Sequence, residues 1–212
     1  MRISRFYLMT ILLLLSFSLA AYESYDRNEY RLSGNMLDLN YSNNGEETQS
    51  YTVGYTRIID LYDPLFLSLY FRGGVFQSLR GDYYDEDSTY EGSFETSGIY
   101  YGPSIGLGTV LKGKPGKYKQ SIVFLSAAAG GDYYLPVITE SDQGISPYST
   151  LSYYYGIRMK YEIKGTRGSN LGYGIKADLY RTVPLNSKDI YFNEYEFDEF
   201  YALTLGVFMK FY

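Results

Sequence analysis

The chain has 212 residues, with 24 acidic against 19 basic side chains for a formal charge of -5, 28 tyrosines, and no cysteine, histidine or tryptophan. Without cysteine there is neither a disulfide framework nor a lipid-modified N-terminal cysteine, and without histidine the usual base of hydrolases and acyltransferases is missing. An acidic exterior repels phosphates, so nucleic acid is excluded as a partner.

Residues 1–20, MRISRFYLMTILLLLSFSLA, place Arg2 and Arg5 ahead of an apolar stretch from Phe6 to Phe17, followed by the small residues Ser18 and Ala20. An apolar run of about a dozen residues falls short of the roughly 20 that a spanning helix needs, so the expectation is a signal peptide cleaved after Ala20. Cleavage removes two arginines and no acid, taking the charge from -5 to -7. Residues 21–212 then form one domain, since no Pro- or Ser-rich linker divides them. No later window holds 18 consecutive apolar residues, which excludes helical membrane spans.

Period-2 alternation is the strand signal, and it predicts eight strands. The first sets Leu37, Leu39 and Tyr41 against Asp38 and Asn40, and the second sets Tyr51, Val53 and Tyr55 in phase until the parity breaks near Arg57. In the third, Leu65, Leu67, Leu69 and Phe71 oppose Ser68 and Arg72. The fourth sets Ile99, Tyr101, Ile105 and Leu107 against Gly102, Ser104, Gly106 and Gly108, with Pro103 read as a bulge or edge. The fifth, SIVFLSAAAGGDYY, is ambiguous in phase. The sixth is LSYYYGIRMKYEI, with Leu151, Tyr153, Tyr155, Ile157, Met159, Tyr161 and Ile163 on one face and Arg158, Lys160 and Glu162 on the other. The seventh sets Leu171, Tyr173, Ile175, Ala177 and Leu179 against Lys176 and Asp178. The eighth runs to the end of the chain, with Tyr201, Leu203, Leu205, Val207, Met209 and Phe211 on one face.

The links alternate in kind. NNGEETQ, GDYYDEDSTYEGSFE, LPVITESDQGISPY and PLNSKDIYFNEYEFDE are long or acidic, whereas DLYDP, KGKPGKYK and KGTRGSN are shorter and mostly basic. Short turns at one end, long loops at the other and an even number of strands are the marks of an outer-membrane barrel. Backbone amides in hydrocarbon cannot bond water, so an all-β chain crosses only as a closed cylinder. The ten steps from Tyr201 to Phe211, at roughly 3.4 Å each and tilted by about 40°, cover about 26 Å, which matches an apolar band of about 25 Å. Tyr153, Tyr161, Tyr173 and Tyr201 stand where rings anchor at the membrane interfaces. The fold expected is therefore all-β, an eight-stranded antiparallel up-and-down transmembrane β-barrel following a cleaved signal peptide.

On these residues the chain resembles the small eight-stranded bacterial outer-membrane barrels of the OmpA and OmpX type. Members of that family end in an assembly signal of the form polar-x-Gly-x-x-apolar-x-apolar, and Thr204, Gly206, Met209 and Phe211 occupy its four places, with Tyr212 one residue beyond the usual terminal aromatic. The resemblance implies residence in the Gram-negative outer membrane among its lipids, insertion by the barrel assembly machinery, and a monomer.

The inward faces collect Asp38, Arg72, Arg158, Lys160, Glu162, Lys176, Asp178 and Lys210. In an interior just wide enough for side chains, unpaired charges are costly, so these are expected to bridge strands as ion pairs and plug the lumen. The loops carry Asp82, Asp85, Glu86, Asp87, Glu91, Glu194 and Glu196 among many aromatics, a composition suited to recognising a basic or cationic surface partner and equally to a solvated face. No motif calls for a catalytic residue, a cofactor or a metal: the Asp85-x-Asp87 spacing lacks the later Gly and Glu of a calcium loop, and GTVLKGKP has Pro115 where a phosphate-binding loop needs Ser or Thr. The function expected is an integral outer-membrane protein, not an enzyme, with a structural or surface-interaction role. Its alternatives are a small porin-like ion or solute channel and a secreted soluble barrel that binds an apolar ligand within.

Overall fold

The computed structural model describes residues 33–43, 48–62, 64–85, 87, 89–114, 119–141, 147, 149–165, 170–185, 187–188 and 194–212. The expected signal peptide and Glu86 lie outside these residues. Among the described residues ten strands follow in chain order: β1 (Gly34–Asn43), β2 (Gln49–Tyr62), β3 (Leu65–Tyr84), β4 (Tyr90–Lys114), β5 (Lys119–Ser141), β6 (Thr150–Gly165), β7 (Leu171–Pro184), β8 (Ser187–Lys188), β9 (Glu194–Phe197) and β10 (Phe200–Phe211). Each long strand pairs antiparallel with the next, from β1 to β7 and then β7 with β10. The pairing of β10 with β1, from Asn35 opposite Phe211 to Asn43 opposite Leu203, closes the ring. Closure leaves no edge strand within the barrel wall, so every strand there has two neighbours to bond.

The pleat then sorts side chains into an exterior and a lumen. Leu37 and Leu39 on β1, Leu69 and Phe71 on β3, Ile105 and Leu107 on β4, and Leu203, Leu205 and Val207 on β10 are exposed, while Asp38, Arg72, Arg158, Lys176 and Lys210 are buried. This is the reverse of a soluble barrel that carries an apolar ligand inside. Tyr153, Tyr161, Tyr173 and Tyr201 also face outward.

Several sequence expectations are corrected. Parity does not break at Arg57: Arg57 points out and Ile58 in, and the register shift of β2 falls between Asp60 and Tyr62. Pro103 makes neither bulge nor edge, because β4 keeps one register across it, pairing Pro103 with Phe71 on one side and both Tyr101 with Tyr133 and Ser104 with Gly130 on the other. The links GDYYDEDSTYEGSFE and LPVITESDQGISPY are not all loop, since β3 runs to Tyr84, β4 starts at Tyr90 and β5 runs to Ser141. PLNSKDIYFNEYEFDE is not all loop either, since among the described residues it contains the two short strands β8 and β9, which are additional to the expected eight strands of the barrel wall.

The lumen is layered. At the short-turn end Met36, Ile58, Phe66, Val110, Ile122, Phe124 and Phe208 form an apolar cluster, with Phe66 and Phe124 edge to face at 5.7 Å. Ionic and phenolic side chains fill the middle. At the long-loop end Phe76, Leu79, Phe94, Tyr100, Tyr134, Tyr195 and Phe197 form a second, largely aromatic cluster. The apolar end explains the lost alternation of strands two and five. Where both faces of a strand meet apolar surroundings, as in Ile58–Ile59 and Ile122–Val123–Phe124–Leu125, the period-2 signal vanishes from the sequence.

Candidate functional site

Two constructions concentrate polar chemistry: the charged middle of the lumen and a sheet that projects from the long-loop end. In the lumen, strand register brings inward positions of distant strands together. Arg72 on β3 meets Asp132 on β5 in a fork, with Nε donating to Oδ1 at 3.2 Å and Nη2 to Oδ2 at 2.5 Å, a geometry that fits a guanidinium to a carboxylate. Its guanidinium also lies 4.1 Å from the centre of the Tyr154 ring, a cation–π contact strengthened by burial of both side chains. Arg158 on β6 donates to Asp178 Oδ2 at 3.3 Å and to the Tyr180 hydroxyl, and Tyr180 donates to the same Asp178 oxygen at 2.8 Å. Lys176 lies 3.1 Å from Asp38 Oδ1 and 3.5 Å from Asp178 Oδ2, and the Tyr70 hydroxyl donates to Asp38 at 3.0 Å. Lower down, Lys210 reaches Glu162 at 3.4 Å, and the Tyr212 hydroxyl donates to the other oxygen of Glu162.

All eight residues singled out for the lumen are thus buried: Asp38, Arg72, Arg158, Lys160, Glu162, Lys176, Asp178 and Lys210. Seven take part in these pairs. Lys160 does not: its amine meets Met36 Sδ at 3.2 Å. The residue missed by sequence reasoning is Asp132, the partner of Arg72. It lies in strand five, whose phase was unreadable, and only the register with β6, which sets it opposite Ser152, reveals its face.

The terminal motif divides between the two faces. Thr204 points inward and donates to Ser42 Oγ at 2.9 Å, while Met209 and Phe211 point outward. Gly206 stands opposite Asn40, and a Cβ there would collide with the Asn40 side-chain oxygen and the Leu39 carbonyl. Glycine at this position makes room for a polar lumen residue.

The projecting sheet arises because strand lengths are unequal. β2 gives out at Gln49, opposite Gln77, while β3 continues to Tyr84. Ser78 sits at the point of departure with φ 61°, inside a register shift between Phe76 and Leu79, the local device by which a bulge bends a strand. The freed edge of β3 is covered by β9, with Gly81 opposite Phe197 and Tyr84 opposite Glu194. Alternation sends Tyr195 and Phe197 into the aromatic cluster, where Phe197 meets Phe94 edge to face at 5.2 Å. It sends Glu194 and Glu196 to the other face.

That outer face is acidic. Glu196 lies directly opposite Asp82, and Glu95 opposite Glu140. Arg80 bonds Glu95 at 3.2 Å, and hydrogen bonds from Ser78 and from Arg80 hold the Glu95 carboxyl below its ordinary value. A shallow depression of about 500 Å³ runs here, lined by Arg80, Asp82, Glu95, Glu140 and Asp198 among others. The loop residues singled out from the sequence do not form one site. Asp82 and Glu196 are neighbours and Glu194 is one pair further along, whereas Asp85 builds the hairpin tip by accepting from the amides of Asp87 at 3.0 Å and Thr89 at 2.8 Å. That capping role explains the Asp85-x-Asp87 spacing without a metal. Among the described residues no three His, Cys, Asp or Glu side chains gather as a metal centre requires.

No family model matches the chain, and no curated protein does. Among solved structures it is similar to the Yersinia pestis outer membrane protein Ail. The backbone structure of Ail in a phospholipid bilayer nanodisc is 14% identical, with 84% of this chain and 99% of that chain covered at a TM-score of 0.34. The crystal structure of Ail, the attachment invasion locus protein, is 14% identical, with coverage of 84% and 97% and a TM-score of 0.28. Its crystal structure in complex with the heparin analogue sucrose octasulfate is 12% identical, with coverage of 84% and 99% and a TM-score of 0.26.

Proposed function

We propose that the chain is an integral outer-membrane barrel that displays an acidic, tyrosine-rich sheet at the cell surface to engage a basic partner. The observation that carries the membrane reading is the inversion of polarity: apolar side chains cover the outside of the eight wall strands while ion pairs sit in the lumen. In water such an exterior would be an aggregation surface; in lipid it is the low-energy arrangement. Residues 1–20 serve as the export signal, the short turns face the periplasm and the projecting sheet faces outward. Thr204, Gly206, Met209 and Phe211 form the assembly signal.

The filled lumen weighs against conduction. Apolar clusters stand at both ends of the charged layer, and beneath the aromatic one a cavity of about 30 Å³ touches Ser42, Ser50, Arg72 and Thr204, space for about one water. A structural and recognition role is therefore favoured over a channel. The carboxylates of the outer face, with Arg80 as the cation paired among them, suit a Lys- or Arg-rich segment.

The membrane reading is tested by fractionation with heat-modifiable gel mobility. The expected result is recovery from the outer-membrane fraction only with detergent, and a mobility shift on boiling. Release by an aqueous wash overturns the reading. Phe211→Asp, which places a charge on the lipid face and spoils the assembly signal, is expected to reduce membrane levels of the folded protein; unchanged levels count against both roles. For recognition, Asp82→Asn with Glu196→Gln is expected to leave the mobility shift intact and weaken binding of a polylysine probe to whole cells.

A further inference from the structure

The register of the wall sets two outward arginines at different levels of the barrel. Following paired residues once around from Phe211 on β10 leads to Asn35 on β1 and Arg57 on β2, then through β3, β4, β5 and β6 to Arg181 on β7, and returns to β10 at Tyr201. One circuit of the eight wall strands therefore climbs from Phe211 to Tyr201, about 26 Å, or about 3 Å for each strand crossed. Arg57, two crossings up, stands about 7 Å above the level of Phe211, and Arg181, one crossing short of Tyr201, lies close to the opposite rim. Among the described residues these are the two charged side chains on the outward face between those levels.

Their partners differ in charge. Arg181 has a carboxylate: its Nε donates to Glu199 at 3.2 Å, and its Nη1 donates to the Tyr155 hydroxyl at 3.1 Å. Arg57 has a neutral amide: its Nη1 donates to Asn35 Oδ1 at 2.8 Å, and the Tyr55 hydroxyl donates to the same oxygen at 2.8 Å. Asn35 lies one crossing nearer the short-turn rim, so the guanidinium is drawn toward that rim, as a cation on a lipid face reaches for the interface. Among the described residues no carboxylate pairs with it; Asp60, further down β2, accepts instead from the Ser33 amide at 3.2 Å. A guanidinium keeps its charge at any working pH, and its donor fork matches the oxygens of a phosphate. Asn35 engages Nη1, which leaves Nε and Nη2 for such a ligand. The anion that an apolar exterior meets near its rim is a lipid phosphate. We propose that Arg57 binds the phosphodiester of a phospholipid in the leaflet at the short-turn end, while Asn35 and Tyr55 hold its guanidinium toward the headgroups. This site rests on the membrane reading proposed above.

Solid-state NMR of the purified barrel, isotopically labelled at its arginine nitrogens and inserted into phosphatidylglycerol vesicles, tests this. The expected result is an arginine side-chain signal dephased by phosphorus within about 4 Å, the spacing of a guanidinium bonded to a phosphate oxygen. That signal is expected to disappear in Arg57→Gln and in Arg57→Lys and to persist in Arg181→Gln. No dephased signal in the wild type, or the same signal in the wild type and both Arg57 variants, overturns the proposal. Vesicles of digalactosyldiacylglycerol, which has no phosphate, are expected to abolish the signal even with inorganic phosphate in the buffer; a signal retained there reports a free anion and overturns the lipid as its source. Heat-modifiable mobility checks that each variant is folded, and if Arg57→Gln is not, Arg57→Lys, which keeps the cation, decides. Failure of the wild type to insert into vesicles sinks the membrane reading together with this site, whereas insertion without dephasing removes the site alone.

Discussion

The two ends of the charged layer and the layer itself show two ways of filling one cylinder. At the short-turn end Phe66, Phe124 and Phe208 fill space with rings, and their energy depends on volume and contact. One turn of pleat away, Arg72, Asp132, Arg158 and Asp178 fill it with groups whose value depends on partners. Apolar packing tolerates a change of shape that keeps volume, whereas an ion pair out of water tolerates neither poor geometry nor the loss of one member. The charged layer therefore depends on the register that matches its members, whereas the apolar end depends on filled volume.

The largest effect expected from this contrast is at Asp132. Asp132→Ala strands the Arg72 guanidinium and is expected to cost about 3–5 kcal/mol in denaturant unfolding from micelles, while Arg72→Met combined with Asp132→Leu costs far less because no charge is left alone. Equal losses for the single and double variants would mean that the layer is wet. Next comes Gly206→Val, which drives a side chain into Asn40 and is expected to cost about 1–3 kcal/mol by overpacking; refolding yield and unfolding midpoint report it together. In the apolar end, Ile58→Val is expected to cost about 0.5–1.5 kcal/mol. A larger loss there would place polar specificity where only packing is read. The smallest effect lies on the projecting sheet. Glu196→Gln removes a like-charge neighbour of Asp82 and is expected to raise the unfolding midpoint by no more than about 2 °C.

The same contrast explains what could be read from the chain alone. Alternation was plain wherever the lumen is polar, as in Arg158, Lys160 and Glu162 against Ile157, Met159 and Tyr161, because the two faces of the strand meet unlike surroundings. It failed at Ile58 and through Ile122 to Leu125, where lumen and exterior are both apolar. Asp132 was lost with that phase, and with it the partner of Arg72. The acidic links announced a polar surface by composition, yet nothing local distinguished Asp85, bound into a hairpin tip, from Asp82, displayed beside Glu196.

By itself the sequence determined the closed all-β architecture, the apolar exterior, the division of the two ends into short and long connections, and most of the buried charges. These follow from the period of the pleat, which acts within a single strand. The tertiary structure alone decided which charges pair, that Lys160 meets Met36, and that β9 covers the edge β3 exposes beyond the end of β2. Those outcomes depend on register and on relative strand length, which are relations between segments, and no segment carries them on its own.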